Sequence, residues 1–268
     1  MTAATASDGV GVEIGAGALR ITLDRPARKN SLDVSAIGRI VAALEAAALD
    51  DSLRVIMLGA NGADFCAGAD WVASNSTGAR PRAGSLQRRT KLQAHRLIEL
   101  LREVQLPVVC AVRGWAAGLG FQLALAADFT IASDSAWFWE PFIERGFSAD
   151  SGATWLLPRL VGVARAKELL LLGRKLTGAE AASWGIIHRA VPDAELESAT
   201  AALVRELADG PTVAIGLTKH GIHRSLETGL ADAMHEEALA LELSSRTADF
   251  KEGLLAFKER RAPRFEGR

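Results

Sequence analysis

The chain has 268 residues, about half of them apolar and a quarter charged, enough for one large domain with its own core or a main domain with a smaller appendage. Its 31 basic and 32 acidic residues leave a net charge of −1, which gives no electrostatic footprint for nucleic acid. No apolar run approaches the roughly 20 residues of a membrane span, and the opening MTAATASDG lacks the basic and apolar regions of a signal peptide, so the expected compartment is the cytosol.

In chain order, strand patterns fall at Val12–Ile14, Ala18–Leu23, Arg54–Leu58, Pro107–Val112 and Phe129–Ala132. Helical patterns between them cover Val34–Ala48, Leu86–Glu103 and Phe121–Ala127, and this alternation predicts an α/β fold with crossover connections. The polar stretch Ala73–Gly84, rich in Gly, Ser and Pro, predicts a loop placed to act as a lid. From Ala164 onward the pattern is helical: Ala164–Leu172, Gly178–Trp184, Glu195–Asp209, Pro211–Ser225, Leu230–Arg246 and Asp249–Arg260. Residues 1–200 are expected to form the core and 201–268 a helical region suited to packing on that core or on neighbouring subunits. Cys66 and Cys110 lie in apolar surroundings without CxxC spacing and read as buried free thiols. His220 and His223 share a helical spacing, but no carboxylate or cysteine completes a ligand set, and no metal is expected.

Two glycine-bearing turns carry chemistry. The first is Asp64-Phe65-Cys66-Ala67-Gly68-Ala69-Asp70, after the Arg54–Leu58 strand; the second is Gly114-Trp115-Ala116-Ala117-Gly118-Leu119-Gly120, before a helix. Small residues let a ligand approach the main chain, and a helix start presents unpaired N–H groups. Facing one another, such turns would form an oxyanion hole.

Together with Leu23-Asp24-Arg25-Pro26, Asn30-Ser31-Leu32, Leu157-Pro158-Arg159-Leu160-Val161-Gly162, Leu176-Thr177-Gly178 with Ala181 and Gly185, and Asp249-Phe250-Lys251-Glu252-Gly253 with Ala256-Phe257, these turns resemble the crotonase (enoyl-CoA hydratase/isomerase) superfamily. The resemblance runs from about residue 12 to 266. It implies a spiral of ββα units followed by a helical trimerisation region, in a homotrimer or dimer of trimers. It implies an acyl-CoA thioester as substrate, with no further cofactor, its carbonyl held by the N–H groups of Ala69 and Leu119. By the same resemblance Ala67 and Asp70 lie at the adenine end of CoA, Arg25 and Arg28 are candidate phosphate contacts, and Phe257 and Arg260 are tail residues that reach CoA.

The chain departs from the hydratase pattern where two glutamates are expected, having Gln122 and Phe142 instead. Glu140 and Glu144 flank the second position and read as surface charge. Asp150, just before the helix leading to Leu157-Pro158-Arg159, reads from sequence alone as an N-cap. It also resembles an aspartate that isomerase-type and dehalogenase relatives place in the acyl pocket. His95 has a spacing similar to a dehalogenase histidine. Trp115, Phe121, Trp137, Trp139, Phe142, Phe147 and Trp155 are expected around the acyl group, favouring a bulky apolar or aromatic one. The leading expectation is double-bond isomerisation with Asp150 as acid and base. Alternatives are a hydratase using Asp150, Glu140 or Glu144, a nucleophilic Asp150 assisted by His95, and a non-catalytic acyl-CoA binder.

Overall fold

The computed structural model describes residues 9–70 and 82–268. The lid expected over Ala73–Gly84 falls largely outside them, as do the first eight residues. Among the described residues, nine strands form two sheets. The larger has the order β1 (Val10–Gly15), β2 (Ala18–Leu23), β3 (Val55–Ala60), β4 (Val108–Val112), β6 (Phe129–Ser133) and β9 (Arg189–Val191). Only its β1–β2 hairpin is antiparallel. The smaller sheet holds β5 (Trp115–Ala117), β7 (Trp137–Trp139) and β8 (Leu176–Thr177). Each coil of the spiral thus adds one long strand to the first sheet and one short strand to the second, as β4 and β5, then β6 and β7.

The apolar runs VIMLGA and VVCAV suit strands covered on both faces, and Val55, Ile56, Val108 and Val109 have no exposed surface. On one face lies α1 (Val34–Ala47), started by the Asp33 carboxylate accepting from Ala36 N at 2.9 Å and burying Ile37, Ile40 and Leu44 at helical spacing. Beside it run α2 (Ser85–Thr90) and α3 (Arg96–Glu103), joined without interruption by the π-helical turn Lys91–His95. The next helices are α4 (Leu119–Ala126), α5 (Ala153–Leu172) and α6 (Gly178–Ser183). Gly162, at φ 74 and ψ 165, divides α5 into two helical halves, so the expected Ala164–Leu172 is only its second half.

Four helices close the chain: α7 (Leu196–Ala208), α8 (Thr212–Ser225), α9 (Leu230–Ser244) and α10 (Ala248–Glu259). The boundary expected at residue 200 falls inside α7, which lies on the main sheet with Val204 packed on Ala18, Val55 and Val109. Helix α8 is tied to the core by Lys219, whose Nζ donates to Leu101 O at 2.9 Å and Leu106 O at 3.1 Å and pairs with Asp128 at 2.7 Å. Helix α9 buries no residue and exposes Met234, Leu239, Leu241 and Leu243. No helix among the described residues is long and apolar enough to cross a membrane. Cys66 and Cys110 are buried free thiols, and burial pushes the Cys66 thiol up to about 12.

Candidate active site

The two glycine-bearing turns meet edge to edge. Cys66 N donates to Trp115 O at 2.8 Å and Ala117 N donates to Cys66 O at 2.9 Å, so 66–69 runs beside β5. Gly68 packs so closely that a Cβ on it would stand 2.8 Å from Ala117 O and 3.5 Å from Leu119 N. That contact, and a φ of 96, confine the position to glycine. Gly118 precedes α4 at φ 51 and ψ −124, which bends β5 sharply into the helix and leaves its first turn without a side-chain cap. Among the described residues, neither Ala69 N–H nor Leu119 N–H donates a hydrogen bond, whereas their neighbours Ala67 N, Asp70 N and Gly118 N all do. The two donors are thus unpaired, and Leu119 adds the positive end of a helix.

Both donors line a cavity of about 210 Å³, together with Asp150 and an aromatic wall of Phe142 and Phe147, whose rings meet edge to face at 5.4 Å. Asp150 does not cap α5: the cap residue is Gly152, and no side chain caps that helix. Its carboxylate is half-buried and is the acidic group on the cavity wall among the described residues. A site with two free N–H donors and one carboxylate can hold an oxyanion and move a proton beside it.

Of the residues expected at the CoA end, Ala67 lines this cavity, and Asp70 is linked to Arg28 at 3.5 Å and to Arg25 at 3.6 Å. Arg25 is further committed to Asp33 at 2.8 Å and Ser31 O at 3.0 Å, while Arg28 is 61% exposed and able to reach a bound anion. Phe257 and Arg260 are exposed on α10 and at its end and do not line the cavity of this chain. His95, at the end of the π turn, faces a different cavity with Glu99, Arg102 and Trp155. The structure does not bring it to Asp150.

Two expectations are overturned. Glu140 is not surface charge: it is 1% exposed, and both carboxylate oxygens lie 3.0 Å from Gln122 Nε2. Burial raises its pKa well above the usual carboxylate range, against the Gln122 bond, and the Asp150 charge raises it further. Offset reasoning did not find it because β7 ends at Trp139 and Phe142 is already helical, at φ −56 and ψ −52. The usable signal was Gln122, a polar residue in the otherwise apolar LGFQLALA, which needs a buried partner. Glu144 is exposed, as expected. The seven aromatic residues also do not surround one pocket. In the small sheet Trp115 stacks on Trp137 at 5.8 Å and meets Trp139 edge-on at 6.0 Å, Phe121 packs on Phe138 in the core at 5.1 Å, and Trp155 lies between Arg102 and Arg159. Only Phe142 and Phe147 of that group line the cavity, so the aromatic count carries little about the acyl group.

Comparison with known proteins identifies the family. Residues 13–268 match the family model described as Enoyl-CoA hydratase/isomerase. The chain is 40% identical to 1,2-epoxyphenylacetyl-CoA isomerase of Escherichia coli, over 94% of this chain and 96% of that protein. It is 38% identical to a probable enoyl-CoA hydratase of Rhodobacter capsulatus, over 96% and 97%. The crystal structure of an enoyl-CoA hydratase from Bacillus anthracis superposes with a TM-score of 0.90 at 30% identity, covering 97% of this chain and all of that one. The crotonase resemblance read from the glycine turns is therefore correct, and the chain belongs to the enoyl-CoA hydratase/isomerase family.

Proposed function

We propose that the protein isomerises the double bond of an enoyl-CoA thioester, with Asp150 as acid and base. The observation that carries this reading is one cavity lined by the free N–H groups of Ala69 and Leu119 and by a single carboxylate. The thioester oxygen accepts from both N–H groups. Asp150 takes a proton from one carbon, the C–H electrons pass into the thioester enolate, and Asp150, its carboxyl proton open to exchange with solvent, returns a proton to another carbon as the double bond re-forms. Substrate and product are isomers, so no water, oxidant or further cofactor enters the balance. The Arg25, Arg28 and Asp70 group beside Ala69 is the candidate seat for the CoA end, with Arg28 the exposed cation. A relative named trans-2-decenoyl-[acyl-carrier-protein] isomerase, 31% identical over 94% of this chain, supports this choice, and the 1,2-epoxyphenylacetyl-CoA isomerase supports isomerase chemistry in general.

The hydratase reading is favoured by a relative's name, but neither Glu140 nor Glu144 lines the cavity, which leaves Asp150 alone to orient water. A panel of enoyl-CoA thioesters incubated in deuterated water separates the two by mass: isomerisation exchanges protons, and hydration adds a water. Asp150→Asn should lower kcat by about 10²–10⁴-fold with acyl-CoA affinity nearly intact. Retained turnover would sink the assignment. Assembly into trimers belongs to the same proposal, supported by the uncovered apolar side chains of α9.

A further inference from the structure

Behind the cavity wall lies an acid–amide pair that the reaction above does not use. Gln122 is fully enclosed and Glu140 1% exposed, yet Gln122 Oε1 has no hydrogen-bond partner while its Nε2 meets both carboxylate oxygens at 3.0 Å. The pair bridges two parts of the site. Gln122 stands on α4 one helical turn beyond the Leu119 donor, and Glu140 immediately precedes Pro141 and Phe142, which line the cavity. A second tie lies beside it, where Gly118 N donates to Trp139 O at 2.9 Å. Together they hold the end of β7 against the start of α4.

An amide is well matched to a buried carboxyl that changes protonation. It donates to the carboxylate and, turned over, accepts from the acid, so the pair survives either state. Burial and the Asp150 charge both push the Glu140 carboxyl up, against the Gln122 bond. From α4 it faces neutral Gln122, and the charge acting on it is that of Asp150 from the segment before α5. Lys175 and Arg145 sit over the Trp139 ring, at 4.4 and 5.9 Å. An apolar pair could fill this volume but would fix no register between strand and helix.

We propose that Glu140 is a positioning residue: bonded to the Gln122 amide, it fixes the Pro141–Phe142 wall against the helix that carries the Leu119 N–H. The proposal rests on the isomerase reading for its assay but on the buried pair for its geometry.

The test compares variants by turnover and proton exchange of an enoyl-CoA thioester in deuterated water, with thermal melts alongside. Glu140→Gln still offers Gln122 an amide partner and should keep kcat within about threefold, whereas Glu140→Ala should lose about tenfold or more in kcat with KM nearly unchanged. Glu140→Asp retracts the carboxyl by one methylene without emptying the site and should show the same kcat loss, which covers the case of an alanine variant that does not fold. Gln122→Glu sets two carboxyls face to face and should raise the acid limb of the kcat/KM profile by about one pH unit. Unchanged kcat in folded Glu140→Ala and Glu140→Asp overturns the proposal, as does loss of turnover in Glu140→Gln. Asp150→Asn in the same series separates the two ideas. If it stays active while Glu140→Ala does not, the isomerase reading falls and the positioning role stands. If Asp150→Asn is inactive and Glu140→Ala is not, the positioning role falls and the isomerase reading stands.

Discussion

Replacing Gly68 by alanine tests whether the oxyanion hole depends on the close seating of two neighbouring turns. The added Cβ would stand 2.8 Å from Ala117 O, against 3.4 Å or more for ordinary contact, on a backbone at φ 96. Relief requires the turns to part by about 0.6 Å, and the atoms that must yield are backbone. A misplacement of about 1 Å costs on the order of 10²-fold in rate, and removal of a whole donor about 10²–10³-fold. The variant should therefore lose about 10–100-fold in kcat/KM, mostly in kcat. Positive φ with a Cβ adds about 1–3 kcal/mol of instability, lowering Tm by roughly 2–4 °C per kcal/mol in a chain of this size. Gly185→Ala is the control: its φ is 75, nothing lies within 4 Å of the added Cβ, and it does not line the cavity. It should share the thermal loss and retain turnover. Steady-state kinetics below both melting temperatures, with melts on the same samples, make the measurement. Wild-type kcat in a folded Gly68→Ala protein would refute the argument that backbone seating sets the hole.

Two further outcomes follow from buried and paired charges. Lys219→Met leaves the Asp128 carboxylate with Val108 N at 2.7 Å and His223 at 3.8 Å but without its ammonium partner, and should cost about 3–5 kcal/mol in urea unfolding; a loss below about 1 kcal/mol would show the pair to be dispensable. Hydrogen bonds from Arg261 and from Arg264 N hold the Glu252 carboxyl at about 2, below the usual 4.5, so its contribution is present above pH 4.5 and lost as pH falls toward 2. Glu252→Gln should flatten the fall in Tm across that window, and superimposable curves for the two proteins would contradict the assignment.

Much of the fold could be read from the sequence because its elements carry strong periodicity. The long strands β2, β3, β4 and β6 and helices α1, α8 and α9 fall within a few residues of expectation. The short strands Trp115–Ala117, Trp137–Trp139 and Leu176–Thr177 do not, since two or three residues are too few for a period and tertiary pairing alone defines them. The turns that carry the unpaired Ala69 and Leu119 N–H groups were legible because close backbone approach demands small residues at fixed spacing, and the resemblance singled out those two positions. Glu140 was not, because its partner lies on another coil and the local reading assumed a strand that had already ended. His95 and the tryptophans were placed by resemblance to segments of relatives, whereas in this chain the π turn and the second sheet distribute them among separate faces.

The seating of one coil on the next also bears on how this protein acquires activity. Ala69 and Leu119 belong to successive coils, joined across Cys66 N to Trp115 O and Ala117 N to Cys66 O. Neither coil holds both donors, so a folding intermediate in which the helices have formed but the second coil is not yet seated lacks the paired N–H groups that the proposed reaction needs. In refolding, far-UV signals should recover before turnover, and the interval between them times the moment when the second coil locks onto the first.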